Sequence, residues 1–479
     1  MSAIFTGCPT TMIRFLVSLF IFVTTLYAKL PTPTTLTLKN GLQVVLVQNK
    51  MAPVVSIGVL YKVGTADDPA AEVGLSHFLE HLMFKGTKKF KGNSYAENIK
   101  KLGGSHNAYT SYDLTHYICD VPIEGAPLTL EMEADRMTGL NFDNEKDLIP
   151  EQRVVHQERL MRMENNPFSE AIEAYLKACY WYHPYGVPPI GYPHHIDAYA
   201  HKSVMDHYKK WYTPNNASLI IVGDFNEKDV VALIKKYFDP IKAHTNPVRK
   251  RPQEPDHNGV TISLSQINKR NANTIIQYSY SVPAFHKMPK GEFEALTVLQ
   301  HIIGSSDTSP IYKDLVIEER LALDVGLSGV GYSVDDRYIN ISATLSPDQC
   351  LQKIREKLRS TIDIFIKTGL NEDHITQAKK EILNGYAFIQ DNRMGIRSLF
   401  ADLAFGLSAK DITTADERIS ATTVEQVKSV YKKYLDKKPH VVLHLAPQKK
   451  TVIPSTEIQK PEEKTTLFHK LKSVFTSNS

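Results

Sequence analysis

The sequence predicts an α+β fold built twice. Three observations carry this. A chain of 479 residues exceeds one ordinary core and points to two domains of about 200 residues each. Strand-like and helix-like runs alternate in both halves. The second half repeats the order of the first, and each half closes on a buried strand, at 217–222 and at 440–445.

Each element has its own warrant. Residues 36–47 read as two strands about the turn Asn40-Gly41, and 54–63 as a β-rich run. A helix follows Asp68-Pro69, with Leu75, Phe78, Leu79 and Leu82 as its core stripe. A helix over 94–102, strands over 107–112 and 115–121, and a helix over 127–138 come next. Another helix opens at Pro150 and runs to about Glu164. Beyond a Pro/Gly-rich loop around 185–193 lie a helix at 203–211, the strand 217–222 and a helix over 227–238. In the second half, 274–282 is strand-like, 293–303 and 347–367 are helical, and 330–343 alternates like a half-buried strand pair.

These runs give the domain plan. Residues 1–28 read as a signal segment: Arg14, an apolar run over 15–27, then Ala28. Met12 is an alternative start, and an uncleaved anchor is the lesser reading. The first domain spans 29–242, a proline- and charge-rich linker 243–259, the second domain 260–447, and a polar tail 448–479. The signal segment predicts export to a bacterial periplasm or the secretory route. Cys119, Cys179 and Cys350 are expected as buried thiols, and no Cys119–Cys179 bridge is predicted. A formal charge of +4, with no basic block interleaved with aromatics, gives no support to nucleic-acid binding.

Chemistry concentrates in two segments. In His77-Phe78-Leu79-Glu80-His81 the two imidazoles are four residues apart on a helix, so both leave one face and can grip one ion. Glu80 stands beside them, where a carboxylate can take a proton from metal-activated water. The second segment supplies Glu151 and Glu158, seven residues or two turns apart on one helix face. Glu158 is the candidate third ligand and Glu151 its support. His106, His116 and His156 are read as surface or packing residues, and the pair His194-His195 as loop.

The order H-x-x-E-H marks the inverzincins. The run from Gly74 to Thr87 resembles the active-site segment of the pitrilysin/insulinase metallopeptidases, closest to the branch of the mitochondrial processing peptidase and its bacterial relatives. In that family a glutamate ligand follows the second histidine at the separation seen here, with 76 residues between His81 and Glu158. The segments 103–110, 183–186, 212–217 and 222–225 resemble further family signatures. The resemblance implies two similar domains, each a mainly antiparallel sheet flanked by helices, forming a clam-like subunit. It implies one Zn2+ per chain on His77, His81 and Glu158, with Glu80 as general base and Glu151 in support. Asn107 and Ala108 would lie on the strand that pairs with an extended peptide or unfolded segment.

One departure bears on partners. The family's complete chambers use an Arg and a Tyr, seven apart, from the opposing half. Alignment puts Val316 and Leu323 there, and neither can stabilise an oxyanion. The alternative is a misalignment, with Arg320 or Tyr332 serving instead. The expectation is a zinc endopeptidase working with a related subunit that supplies the Arg/Tyr pair, or as a homodimer. A non-catalytic assembly protein is the alternative.

Overall fold

The computed structural model describes residues 32–245, 248–257, 259–304, 307–346 and 351–448. The signal segment, Cys350, the start of the helix expected over 347–367 and the tail beyond Gln448 lie outside these residues.

The first half contains β1 (Thr34–Thr37), β2 (Gln43–Gln48), β3 (Val54–Tyr61), α1 (Leu75–Leu82), α2 (Ser94–Lys101), β4 (Ser105–Thr110) and β5 (Thr115–Pro122). It continues with α3 (Ala126–Gly139), α4 (Ile149–Arg159), α5 (Pro167–Cys179), α6 (Pro193–Ala198), α7 (His201–Trp211), β6 (Ala217–Gly223) and α8 (Glu227–Phe238). The second half holds β7 (Ile262–Asn268), β8 (Thr274–Val282), α9 (Glu292–Gly304), β9 (Asp324–Ser328) and β10 (Arg337–Leu345). It ends with α10 (Leu351–Ile364), α11 (Glu372–Gln390), α12 (Arg393–Phe400) and β11 (Val441–Pro447).

The two sheets share one topology. The first runs β1-β2-β6-β3-β5-β4 and the second β7-β11-β8-β10-β9. In both, the late strand inserts parallel to the first long strand and antiparallel to the next: β6 beside β2 and β3, β11 beside β7 and β8. All other pairings are antiparallel. The fold is α+β, with β4 and β9 at corresponding edges.

Strand alternation sends side chains to opposite faces, and each lobe covers one face with its own helices. In the first lobe Val44, Leu46, Ile57, Val59 and Leu219 pack with Leu75, Phe78 and Leu79 of α1. The other face is closed by the opposite lobe. Val45, Val47, Leu60 and Ile220 meet Ile396 and Phe400 of α12, while Val441, Leu443 and Leu445 of the second sheet meet Ala171, Tyr175 and Ala178 of α5. The exchange is pinned by polar contacts: Arg397 pairs with Asp120 at 3.0 Å, and the Tyr175 hydroxyl donates to Asn340 Oδ1 at 2.8 Å. At Gly58 a Cβ would lie 2.4 Å from His116 Nε2 and 3.0 Å from Arg397 Cδ, so glycine lets α12 lie flat on the sheet.

Three expectations are corrected. The strand pair expected over 330–343 is β9 with β10, and 329–336 connects them. Gly329, at φ 93°, ends the pairing, and Asp335 and Asp336 spend their carboxylates on cations. His194 and His195 lie in α6 rather than in a loop, because Pro193 opens a helical turn there. The first strand, expected from 36, is already paired from Thr34, against Leu46. Cys119 and Cys179 are buried and unbridged. No helix among the described residues is long and apolar enough to cross a membrane.

Candidate metal centre

The helix α1 starts abruptly. Gly74 sits at φ 98°, and a Cβ there would lie 2.6 Å from the Tyr199 hydroxyl. Asp68 caps the free end, accepting from the backbone amides of Gly74 at 2.8 Å and Ser76 at 3.0 Å. Burial raises the Asp68 pKa against these hydrogen bonds. With Leu75, Phe78, Leu79 and Leu82 sealed in the core, His77, Glu80 and His81 must face the cleft. Proline in the first turn opens α4, which presents Glu151 and Glu158 across from them.

His77, His81 and Glu158 each offer a ligand atom, all within 4.8 Å of one another. Glu158 Oε2 lies 3.6 Å from His77 Nε2 and 3.3 Å from His81 Nε2. A tetrahedral ion with arms of about 2.0–2.1 Å needs ligand separations of about 3.3 Å, so the set fits zinc. Glu158 Oε2 is buried and accepts no directed hydrogen bond. A carboxylate oxygen left so between two imidazoles is costly unless a cation completes it.

The surrounding groups fix these ligands. Glu151 Oε1 lies 2.8 Å from His81 Nδ1 and accepts its N–H, which leaves Nε2 to ligate. Lys85 pairs with the other Glu151 oxygen, and Arg162 Nη2 lies 2.9 Å from Glu158 Oε1. Thr110 on β4 donates to Glu80 Oε2 at 2.6 Å. Spacing alone could have flagged Lys85 and Arg162, each four residues past a site residue on a helix. Thr110 ends the segment 103–110 that resembles a family signature, but its bond to Glu80 arises only through the fold.

Electrostatics separates the two imidazoles. Burial and the neighbouring His81 lower the His77 pKa to about 4. Burial opposes charge on His81 too, but the hydrogen bond to Glu151 and the nearby Glu158 carboxylate outweigh it and lift the pKa to about 9. Burial raises the Glu80 pKa against the Thr110 hydrogen bond, which suits a group that takes and returns a proton. Burial opposes ionisation of Glu151 and Glu158, yet His81 holds both below the usual range, aided by Lys85 at Glu151 and by His77 and Arg162 at Glu158.

The cleft holds about 700 Å3 and is lined by these groups with Phe84, Asn107–Thr110, Val154 and Met161. Asn107 and Ala108 lie on β4, whose outer side pairs with no strand among the described residues. Asn107 Oδ1 accepts from the Ala108 amide at 2.9 Å, so one donor of that edge is occupied by its own neighbour. Val316 is packed against the second-lobe core, and Leu323 is half exposed. Tyr332 stacks on Phe293 at 4.5 Å and meets Phe285 edge-on.

Residues 43–190 match the family model described as insulinase (peptidase family M16), and 200–382 that of the peptidase M16 inactive domain. The second match begins before β6, a strand of the first sheet. The zinc protease PqqE of Helicobacter pylori is 28% identical over 424 residues, covering 87% of this chain and 94% of that protein. The crystal structure of a protease from Helicobacter pylori superposes with a TM-score of 0.79 at 28% identity, over 87% of this chain and 100% of that one. The periplasmic protease PqqL from Escherichia coli shares the fold, with a TM-score of 0.72 at 19% identity; 88% of this chain covers 48% of that longer one. Both parts of the family pattern thus lie in order along one polypeptide, and the chain belongs to the pitrilysin/insulinase (M16) family, with zinc proteases among its relatives.

Proposed function

We propose that this protein is an exported zinc endopeptidase that cleaves peptides or unfolded segments. The observation that carries the reading is the buried, unsatisfied Glu158 Oε2 held 3.3–3.6 Å from two imidazole nitrogens. His77, His81 and Glu158 would hold one Zn2+. When bound, zinc lowers the pKa of a coordinated water and polarises a peptide carbonyl. Glu80 takes the proton from the attacking water and delivers it to the leaving amide nitrogen. Glu151 holds His81 in the ligating tautomer. Asn107 and Ala108 present the free edge of β4, so an extended substrate adds to the sheet as one more strand and is held by backbone hydrogen bonds. Folded proteins offer no such strand. Export rests on the apolar run 15–27 after Arg14.

A second subunit belongs to this reading. Val316 and Leu323 stand where the family's Arg and Tyr align, and neither offers a hydrogen-bond donor from its side chain. The length of the PqqL chain, about twice the part this fold covers, favours a second unit of the same kind facing the first. The test uses zinc-loaded full-length protein and an unstructured peptide, with and without material co-purified from its native source. The expected result is weak cleavage alone and strong cleavage with the partner. Full activity of the isolated monomer counts against the two-subunit reading. Loss of zinc binding by the wild type would favour a non-catalytic assembly role.

A further inference from the structure

The linker between the lobes carries charge into the interior. Arg251 is only 4% exposed at its side chain, although it belongs to a stretch otherwise rich in exposed residues. Its guanidinium binds three aspartates from three regions. Nε and Nη2 reach the two oxygens of Asp67 at 3.1 and 2.9 Å, and Nη1 reaches Asp113 Oδ1 and Asp335 Oδ2, each at 2.7 Å. Asp67 follows β3, Asp113 lies in the turn between β4 and β5, and Asp335 lies between β9 and β10 of the other lobe. Further bonds brace the cluster. The Val334 amide donates to Asp113 Oδ2 at 3.2 Å, the Asp335 amide to the Tyr185 hydroxyl at 3.2 Å, and Tyr185 to Asp113. His183 Nε2 lies 3.1 Å from Asp335 Oδ2, and Arg249 Nε lies 3.3 Å from Asp67 Oδ2.

The position of Asp113 gives this cluster its consequence. It is three residues from Thr110, which holds Glu80, and its turn is stitched to the loop before α1 by Thr65 N to Ser111 O and Ala66 N to Tyr112 O. The hairpin β4–β5 therefore has one end at the interlobe cluster and its edge at the metal cleft. Both the substrate-pairing edge and the Thr110–Glu80 bond hang from it.

We propose that Arg251 is a positioning residue: it locks the β4–β5 hairpin to the second lobe and so sets the alignment of the substrate strand and of Glu80 with the metal ligands. The mechanical part stands on the contacts above; its catalytic consequence rests on the peptidase reading. The partner chemistry is internal, a planar cation whose five N–H donors match several carboxylates at fixed angles, which an ammonium does not reproduce. Three acids converging on one guanidinium also explain why the linker is not free to drift: without it Asp67 would be left with Arg249 and Asp335 with His183, while Asp113 would face only the neutral Tyr185 hydroxyl and Val334 amide.

The test uses the full-length protein in three variants, Asp335→Asn, Arg251→Lys and Arg251→Met. Asp335→Asn weakens only the interlobe arm and leaves Asp67 and Asp113 paired, so it decides the matter if Arg251→Met does not fold. Amide hydrogen exchange is read across the first lobe, with zinc stoichiometry and peptide cleavage alongside. The expected result is faster exchange confined to 105–117, by about tenfold or more, with β6 and α8 unchanged and zinc retained. The same variants should lose about 10–100-fold in kcat with little change in KM, as expected when a catalytic group is misplaced by a fraction of its reach. Arg251→Lys should fall between wild type and Arg251→Met. Unchanged exchange in the hairpin of Asp335→Asn, or an equal rise over the whole first sheet, would overturn the proposal. A wild type that binds zinc but cleaves nothing would strike the peptidase reading and leave the exchange result to judge the lock.

Discussion

The two lobes use one scaffold for opposite ends. Each places a helix after its second long core strand, α1 after β3 and α9 after β8. In α1 the face turned from the core carries His77, Glu80 and His81. In α9 burial runs through Phe293, Ala295, Leu296, Val298, Leu299, Ile302 and Ile303. Its buried acid, Glu294, is spent on Arg418 at 2.6 Å, and its one histidine, His301, turns back to the Thr297 carbonyl. The second lobe shows that the topology needs no metal site. The polar groups of α1 are therefore an addition that the shared topology does not itself require.

The comparison can be broken first at the base. Glu80→Gln should keep zinc and lower cleavage by about 10²–10⁴-fold, read as initial rates on an unstructured peptide beside metal analysis. Retained cleavage would remove Glu80 as base and leave the metal ligands as what sets α1 apart from α9. Next comes the shared scaffold. Leu79→Ala in α1 and Leu299→Ala in α9, both fully buried, should each destabilise by about 2–5 kcal/mol in urea unfolding. A much smaller cost in either lobe would deny that the two helices do the same structural work.

A third test concerns the support of the ligands. Glu151→Gln should weaken zinc binding about 10–100-fold, by competition with a chelator. The His81 pKa of about 9 also predicts that zinc uptake near pH 7.5 expels about one proton, because the ligating ring is neutral. Calorimetry in buffers of different ionisation heat should show that proton, and less of it in Glu151→Gln. The sign for the apoprotein follows. The folded pKa of His81 lies above its unfolded value, so its pairing stabilises fully below about pH 6.5 and fades as pH rises through about 9. The smallest effect belongs to His77. Its folded pKa of about 4 lies below the unfolded value, so between pH 6.5 and 4 the unfolded chain takes up a proton that the buried ring refuses. Apo His77→Leu should therefore melt higher than wild type at pH 5, with the gap narrowing toward pH 7.5. A gap independent of pH would mean that burying this ring costs nothing electrostatically.

Much of this was legible because it is local. The stripe Leu75, Phe78, Leu79, Leu82 and the spacing of His77 and His81 follow from 3.6 residues per turn. Glu151 and Glu158 share a helix face for the same reason. The bounds of the strand pair expected over 330–343 were not, because Val330, Tyr332 and Val334 alternate like a strand while Gly329 and two aspartates commit the segment to a turn. Thr110 reaches Glu80 across 30 residues, and Arg251 gathers acids from as far as 184 residues away. No periodicity records such meetings. The composition of 243–259 marks a charge-rich linker, yet the Arg251 side chain is buried at the junction of the lobes.

The sequence by itself determined the identity of the groups and which of them share a helix face, since backbone geometry repeats over a few residues whatever surrounds it. Tertiary structure alone decided that Glu158 Oε2 sits unsatisfied between two rings, that Glu151 accepts the His81 Nδ1–H, and that each lobe lends a helix to the other's sheet. Those outcomes depend on packing elements that are distant in the chain, where burial, and not spacing, sets which charges meet.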